Sequence, residues 1–261
     1  MMNDEKSEIS PSTNVGSDHK TSVIEIKDLK KSFGTQEVLK NISLQLFPNE
    51  NLVVLGKSGS GKSVLIKCIV NLLPVDTGTI KVFEKDVTHL KSDELVNLRK
   101  KIGFLFQSGA LYDSMTVRQN LEFPLRRIRK ELSEKEIEDK VKEVLENVGL
   151  SEALEKMPSQ LSGGMRKRIS LARTIVVDPS IILYDEPTTG LDPVTSNEIS
   201  ALILEVQKKY KTASIIITHD IKCALTTANR IIMLNDGAVY KEGKKEEFQN
   251  SEDSLIHSFF N

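Results

Sequence analysis

The first part of the chain carries short apolar segments that predict β-strands. Residues 23–26 and 42–46 alternate apolar and polar side chains or nearly so, and Gly34 lies in the turn region between them. Residues 51–55 form an apolar run that ends at Gly56. Such a run indicates a buried strand, and here the strand leads into a glycine-containing loop.

The next segments predict two helices with a short strand between them. Residues 63–73 predict a helix that Pro74 closes, and residues 79–83 predict a strand. In the middle of the chain, Ser133 and Glu136 have the spacing of a capping box. Behind it the apolar positions form one helical stripe that ends at a glycine: Ile137, Val141, Val144, Leu145, Val148 and Gly149.

The C-terminal half alternates helices and strands, which is the order of an α/β sheet. In chain order the pattern predicts a helix over residues 162–177, a strand over 180–184, a helix over 193–210, a strand over 213–218 and a hairpin that joins 230–234 to 238–240. Asp192 is the expected N-cap of the third of these elements, with Pro193 as its first residue. Asn235-Asp236-Gly237 supplies the hairpin turn.

These elements predict one domain over residues 22–245, an α/β core with a helical insert at about 108–170. Residues 1–21 are polar and rich in Ser, Asn and Asp, so we expect a disordered tail there. Residues 246–261 are predicted to form a C-terminal helical tail.

Composition narrows the functional classes. The chain holds 36 Lys and Arg against 37 Asp and Glu, a net charge of −1, which argues against a nucleic-acid partner. Cys68 and Cys223 have no metal-site spacing, and we expect both to be buried hydrophobes in a reducing cytosol. No segment approaches the roughly 20 apolar residues of a transmembrane helix, and the N-terminus lacks the apolar core of a signal peptide. Any membrane role is therefore expected to depend on a partner.

The loop after the strand at 51–55 matches the phosphate-binding pattern G-x-x-x-x-G-K-[ST] in full, with Gly56, Lys57, Ser58, Gly59, Ser60, Gly61, Lys62 and Ser63. Its glycines let successive N–H groups point at phosphate oxygens, and the N-terminus of the following helix adds positive charge. Lys62 is predicted to reach the β- and γ-phosphates, and the Ser63 hydroxyl is predicted to coordinate Mg²⁺.

Two acids, Asp185 and Glu186, follow the apolar strand at 180–184. An unpaired acid near a core is destabilising, but a nearby cation removes the difficulty. We therefore predict that Asp185 holds Mg²⁺ and that Glu186 acts as general base on the attacking water.

Further motifs make the chain similar to the ABC ATPase family from residue 23 to about residue 243. The signature L-S-G-G-Q is resembled by Leu161, Ser162, Gly163, Gly164 and Met165, with Met165 where Gln is usual. Gln107 resembles the Q-loop glutamine, Asp192 ends a D-loop-like segment at 189–192, and His219 resembles the H-loop histidine. Phe33 falls where the family places an aromatic residue that stacks on adenine.

The resemblance implies a P-loop NTPase (RecA-like) core with an antiparallel β subdomain and a helical insert. It implies ATP and Mg²⁺ as ligands, with Gln107 joining Ser63 and Asp185 at the metal, and His219 contacting the γ-phosphate. In the family, the signature of one subunit closes on the ATP held by the other. A chain with one copy of each motif is therefore expected to form a homodimer.

The strings F-Q-S-G-A-L after residue 105 and M-P-S-x-L-S-G-G-M over residues 157–165 resemble the ATPases of the Mla (maintenance of lipid asymmetry) and MCE-associated systems. That resemblance implies transport of phospholipid or another hydrophobic lipid. It also implies an MlaE-like integral membrane permease and an MCE-domain protein as partners, with the chain on the cytoplasmic face of the plasma membrane.

Three alternatives stay open at this point. The ATPase could serve a transporter of amino acids, ions or drugs. It could act outside transport, although the long coiled-coil insert of the repair proteins and the second nucleotide domain of the translation factors are both missing. A purely binding protein would need a degenerate catalytic site, yet Lys62, Asp185, Glu186 and His219 are all present.

Overall fold

The structure is a computed structural model that describes residues 21–260, so the tail predicted for residues 1–21 lies outside the described residues except for its last position. A four-stranded antiparallel sheet opens the described part. Its strands are β1 (Ile24–Phe33), β2 (Gln36–Leu46), β4 (Thr77–Val82) and β5 (Lys85–Asp86), in the order β2-β1-β4-β5. β1 and β2 are longer than the strands predicted over residues 23–26 and 42–46, because the more polar residues beyond those segments also pair across the two strands.

The second sheet has six strands in the order β10-β9-β3-β8-β7-β6. These strands are β3 (Asn51–Leu55), β6 (Ile102–Leu105), β7 (Ile181–Asp185), β8 (Ala213–Thr218), β9 (Arg230–Asn235) and β10 (Ala238–Gly243). All neighbouring pairs run parallel except β9 and β10, which form the predicted antiparallel hairpin. The carboxyl ends of β3, β7 and β8 therefore meet at one edge of the sheet.

Helices cover both faces of this sheet. They are α1 (Lys62–Ile69), α2 (Ser92–Arg99), α3 (Val117–Ile128), α4 (Glu134–Asn147), α5 (Gly163–Ile175), α6 (Pro193–Tyr210), α7 (Ile221–Thr227), α8 (Lys245–Gln249) and α9 (Ser254–Phe260). The predicted α/β core with an antiparallel sheet and a helical insert is confirmed.

The core divides into two apolar clusters because successive residues of a strand point to opposite faces. In β3, Leu52 and Val54 join the cluster that contains α1 and the antiparallel sheet. Val53 and Leu55 join the cluster that contains α3 to α6. All four are fully buried, so β3 is covered on both faces and can carry a functional loop on a rigid base.

Several predicted boundaries were wrong. The helix predicted over residues 63–73 ends at Ile69, because Asn71 adopts a left-handed backbone (φ 51°) that a helix cannot continue. The strand predicted over 79–83 ends at Val82, since Phe83 and Glu84 form a left-handed turn. The predicted C-terminal helical tail consists of two helices, α8 and α9, and it buries Phe248 and Ile256 in the chain's own core.

Five of these strands and helices had no sequence prediction: β5, α2, β6, α3 and α7. In α3 the sequence signal is obscured by Pro124, which lies inside the helix and normally disfavours one. Within residues 21–260, no helix is both long and apolar enough to cross a membrane.

The capping box predicted at the start of α4 is present. Ser133 Oγ accepts the main-chain N–H of Glu136, and the Glu136 carboxylate accepts the main-chain N–H of Ser133 at 2.8 Å. We expect Ser133→Ala to lower the free energy of unfolding by about 1 kcal/mol, measured by urea denaturation. Lys135→Ala, at an exposed neighbouring position, is the control and should change it by less than about 0.5 kcal/mol. Equal unfolding midpoints for Ser133→Ala and the unchanged protein would contradict a stabilising role for Ser133 as the N-cap of α4.

Candidate functional site

The phosphate-type loop lies between β3 and α1, where the sequence predicted it. Gly61 precedes the helix with φ 96°, in the left-handed region that side chains rarely adopt. A Cβ there would also lie 2.9 Å from the carbonyl oxygen of Val38 on β2. The loop is therefore packed closely against the antiparallel sheet, and its last turn requires glycine.

The Lys62 side chain is turned into the loop. Its ammonium donates to the carbonyl oxygens of Gly56 at 2.7 Å and Lys57 at 3.0 Å, and it lies 3.5 Å from a carboxylate oxygen of Glu186. Burial lowers the pKa of Lys62, and the Glu186 carboxylate opposes that shift. The site thus holds a desolvated cation at the base of the loop, available to a phosphate.

The loop is joined to the acidic end of β7 by a hydrogen bond from Ser63 Oγ to Asp185 Oδ1 at 2.9 Å. This contact exists because β3 and β7 both flank β8 in parallel, so that their carboxyl ends are neighbours. Burial raises the pKa of Asp185, and the Ser63 hydrogen bond opposes the rise. A hydroxyl and a carboxylate at this separation are the oxygen donors that a Mg²⁺ ion prefers.

Glu186 and His219 are brought into direct contact. Nδ1 of His219 pairs with Glu186 Oε2 at 2.8 Å, and the same oxygen accepts the Thr189 hydroxyl at 3.1 Å and the main-chain N–H of His219 at 3.3 Å. Glu186 also has a left-handed backbone, with φ 49°. A non-glycine residue in that conformation is strained by about 1 kcal/mol or more and is often found at functional sites.

A cavity of about 250 Å³ opens between these groups. It is lined by Val38, Ser58, Gly59, Gly61, Lys62, Ser63, Val64, Gln107, Glu186 and His219. The structure thus gathers most of the predicted loop residues with the predicted Q-loop glutamine, general base and histidine. Val38 and Val64 were missed, since a valine in a strand or a helix carries no sign that it will face a cavity.

Other predicted site residues do not line this cavity, among them Phe33, Gly56, Lys57 and Ser60. Gly56 and Lys57 face the site through their carbonyls, while the buried Ser60 hydroxyl has no hydrogen-bond partner within the described residues. Phe33, at the end of β1, is 47% exposed and does not line the cavity; the Lys31 ammonium lies 5.4 Å from its ring centre. Its predicted contact with adenine stays a prediction.

The signature-like residues do not line the cavity. Ser162 caps α5, and its hydroxyl accepts the main-chain N–H of Met165 at 3.2 Å. Gly163 and Gly164 open the helix, and Leu161 is buried just before it. In the same way, Asp192 caps α6. The chain therefore presents a second helix N-terminus away from its own phosphate loop.

A buried charge beside the site, Lys167, was not predicted. Lys167 on α5 is 6% exposed, and its ammonium donates to the carbonyl oxygens of Gln107 at 2.7 Å and Glu186 at 3.5 Å. Burial lowers the pKa of Lys167, while Asp185 and Glu186 oppose the shift. A single lysine in a helix pattern gives no signal for this, because its burial arises only when α5 packs against the sheet.

Comparison with protein families gives a match to the family model for ABC transporters over residues 39–189. The chain is 40% identical to the "Probable ribonucleotide transport ATP-binding protein mkl" of Mycobacterium leprae, over 91% of this chain and 68% of that protein. It is 37% identical to the "Methionine import ATP-binding protein MetN" of Clostridium tetani, over 89% and 73%. It is also 37% identical to "Protein TRIGALACTOSYLDIACYLGLYCEROL 3, chloroplastic" of Arabidopsis thaliana, over 91% and 73%.

Solved structures resemble the fold as well. One is described as the dimeric structure of a post-hydrolysis state of the ATP-binding cassette MJ0796 bound to ADP and Pi. It is 33% identical with a TM-score of 0.78, over 85% of this chain and 98% of that one. The other is cbiO1 from Clostridium perfringens, described as part of the ABC transporter complex cbiONQ, at 28% identity with a TM-score of 0.81, over 91% and 94%.

We expect Lys62→Ala to abolish ATP turnover, because it removes the one side-chain cation at the base of the loop among the described cavity-lining residues. The loss should reach at least about 100-fold, the effect of removing a donor to developing charge. Phosphate release and binding of a fluorescent ATP analogue measure it. Lys142→Ala, exposed on α4, is the matched control and should turn over ATP as the unchanged protein does. Retained turnover in Lys62→Ala would contradict this assignment of the site.

Proposed function

The chain belongs to the ABC transporter family of ATP-binding proteins, and from this premise we propose that it hydrolyses ATP as one half of a homodimer that drives a lipid-carrying membrane permease. Its membership makes it an ATPase. The observation that carries the proposal is the cavity in which the loop cation, Ser63 and the Glu186–His219 pair meet. Asp185 does not line this cavity but accepts the Ser63 hydroxyl beside it.

The residues of the cavity divide the work of hydrolysis. The loop N–H groups and Lys62 bind the β- and γ-phosphates, and Ser63, Gln107 and Asp185 would hold Mg²⁺. The metal, when bound, neutralises part of the phosphate charge. Asp185 and Ser63 fit that role, because they already share a hydrogen bond at 2.9 Å in a partly buried position.

Glu186 is the proposed general base. It takes a proton from water while the water oxygen bonds to the γ-phosphorus, and the bond from that phosphorus to the β–γ bridging oxygen breaks, leaving ADP and phosphate. The Thr189 hydroxyl and the main-chain N–H of His219 hold its carboxylate. His219, whose side chain is half exposed toward the cavity, is then placed to contact the γ-phosphate.

The position of the signature-like helix start supports the proposed homodimer. Ser162, Gly163 and Gly164 offer a second anion-binding helix N-terminus, yet they do not line the chain's own cavity. Two copies related by a two-fold axis can bring each such N-terminus to the phosphate loop of the other. The dimeric description of the MJ0796 cassette supports this arrangement.

A groove beside the cavity supports docking of a permease. A pocket of about 350 Å³ is lined by Ser108, Ala110, Leu111, Asp113, Pro158, Ser159 and Arg166. Next to it, the exposed rings of Tyr112 and Phe123 make an edge-to-face contact at 5.4 Å. Buried Asn120 fixes this loop, since its side chain accepts the Tyr112 N–H at 2.8 Å and donates to the Tyr112 carbonyl at 3.1 Å. Exposed aromatic rings are typical of protein interfaces, and the small side chains of Ser108 and Ala110 leave room for a partner helix.

The proposed cargo is phospholipid or another hydrophobic lipid, carried by an MlaE-like permease that works with an MCE-domain protein. This chain would bind the permease from the cytoplasmic face of the plasma membrane. The Mla-like strings around Gln107 and Met165 support it. A relative at 37% identity whose name contains that of a galactolipid supports it too.

A small polar cargo is the second candidate. The names of two other relatives, at 40% and 37% identity, refer to ribonucleotide transport and methionine import. The two candidates differ in the permease and not in the ATPase site, so the cavity chemistry does not discriminate between them.

We expect Glu186→Gln to trap an ATP-bound dimer, because the amide keeps the size of the side chain but cannot take up the proton. Turnover should fall by about 100-fold or more while ATP binding persists. Size-exclusion chromatography with light scattering, with and without ATP, measures the dimer. A Glu186→Gln protein that turns over ATP at the unchanged rate would show that the general-base assignment is wrong.

The cargo is tested by co-expressing the chain with an MlaE-like permease and an MCE-domain protein encoded in the same genome and purifying the complex in detergent. We expect mass spectrometry to find phospholipid bound to the complex and absent from a control complex that lacks the MCE-domain protein. Stimulation of ATP turnover in the purified complex by methionine or a ribonucleotide, with no bound lipid, would contradict a lipid cargo.

A further inference from the structure

One side of α5 holds the main chain of the segment that follows β6. Lys167 donates to the Gln107 carbonyl at 2.7 Å, and Arg173 donates to the Ala110 carbonyl at 2.8 Å. Between them Gly109 lies so close to α5 that a Cβ on it would be 2.5 Å from Ser170 Oγ. The helix that begins at the signature thus fixes the backbone of the Q-loop-like segment, residues 107–110.

Lys167 also reaches the other side of the site. Its ammonium lies 3.5 Å from the carbonyl oxygen of Glu186, which accepts the Thr189 N–H at 3.3 Å as well. Glu186 has the strained left-handed backbone, and strain of this kind persists only where surrounding contacts hold it. One side chain therefore connects the main chain of the proposed metal ligand with that of the proposed general base.

The burial of this ammonium is energetically unfavourable in itself. It is 6% exposed, and the hydrogen bonds that it makes within the described residues are to the main-chain carbonyls of Gln107 and Glu186. A methionine has similar length and would fill the same space without desolvating a charge. It would leave both carbonyls without this donor, however, and it would remove the positive charge that faces Asp185 and Glu186.

We propose that Lys167 is a positioning residue for ATP hydrolysis, which holds Gln107 and Glu186 in one fixed arrangement and joins both to the signature helix. The proposal rests on the roles given above to Gln107 and Glu186. The α5 helix would then serve two nucleotide sites. Its N-terminus would contact the partner's nucleotide, and Lys167 would align the chain's own catalytic groups.

The test is the steady-state ATP turnover of the purified full chain. In Lys167→Met we expect kcat to fall about 10- to 100-fold, the range for displacing a catalytic group by a fraction of an ångström to an ångström. KM for ATP should stay within about twofold, because the loop and Lys62 bind the phosphates and Lys167 touches neither. Lys167→Arg, which keeps a donor and a charge, should recover at least about a third of kcat.

Two controls separate positioning from general loss of structure. Lys142→Met, at an exposed position on α4, should leave kcat and KM unchanged. The thermal unfolding midpoint of Lys167→Met should stay above the assay temperature with the far-UV circular dichroism unchanged. A parallel loss of kcat, ATP binding and folded structure in Lys167→Met and Lys167→Arg would overturn the proposal, because Lys167 would then be only part of the core.

A double-mutant cycle tests the route through Gln107. If Lys167 acts by placing this glutamine, Lys167→Met should lower kcat much less in a Gln107→Ala background than in the unchanged protein, with a coupling of about fivefold or more. If the fall in kcat of the double variant equals the product of the falls in the two single variants, the two residues act independently. That result would overturn the proposal. This cycle does not use a substitution at Glu186, so a failed general-base assignment and a failed positioning role give different results.

Discussion

The hydrogen bond from Ser63 to Asp185 is the contact on which the site depends, because it joins two segments that are 122 residues apart in the chain. It requires β3 and β7 to end at the same level of the sheet. The register provides this: Leu55 pairs with Thr218 on one side of β8, and Asp185 pairs with Ile217 on the other. A slip of one residue in either pair would turn each strand's core-facing side chains to the wrong face. The fully buried strands make such a slip very unfavourable.

Around that contact, the chain buries charged side chains whose desolvation is offset by hydrogen bonds to main-chain and hydroxyl groups, by one another, or by a ligand. Lys62 and Lys167 are both buried cations, and Asp185 and Glu186 are both buried acids. Both lysines contact Glu186, Lys62 at the carboxylate and Lys167 at the main-chain carbonyl. Such an arrangement suits a site that must accept a highly charged nucleotide without large rearrangement, since preorganised charges need little reorganisation when phosphate charge shifts.

Much of this could be predicted where the signal is local. The loop over residues 56–63, the N-cap at Asp192 and the hairpin turn at 235–237 are each encoded by a short run of residues whose backbone or hydrogen-bonding requirement is specific. The acids at the end of β7 were predictable because a buried strand has no stabilising reason to end in two carboxylates.

The rest depends on tertiary packing. The end of α1 at Ile69 is set by the left-handed Asn71 and not by Pro74, and α3 forms through Pro124 because packing outweighs local propensity. In the sequence, Lys167 looks like an ordinary lysine on a helix surface, and it becomes buried only because α5 packs against the sheet. Phe33 shows the opposite case, a residue whose predicted role depends on a ligand, so its exposed ring neither confirms nor contradicts it.

The central claim is that the terminal phosphate of ATP lies between two copies of this chain. The most direct measurement is an electron cryomicroscopy structure of the ATP-loaded protein in complex with its permease. We expect density for the γ-phosphate between Lys62 of one copy and the Ser162 helix start of the second copy, at both half-sites. Nucleotide enclosed by the residues of one copy alone, with both signature helices facing solvent, would contradict it.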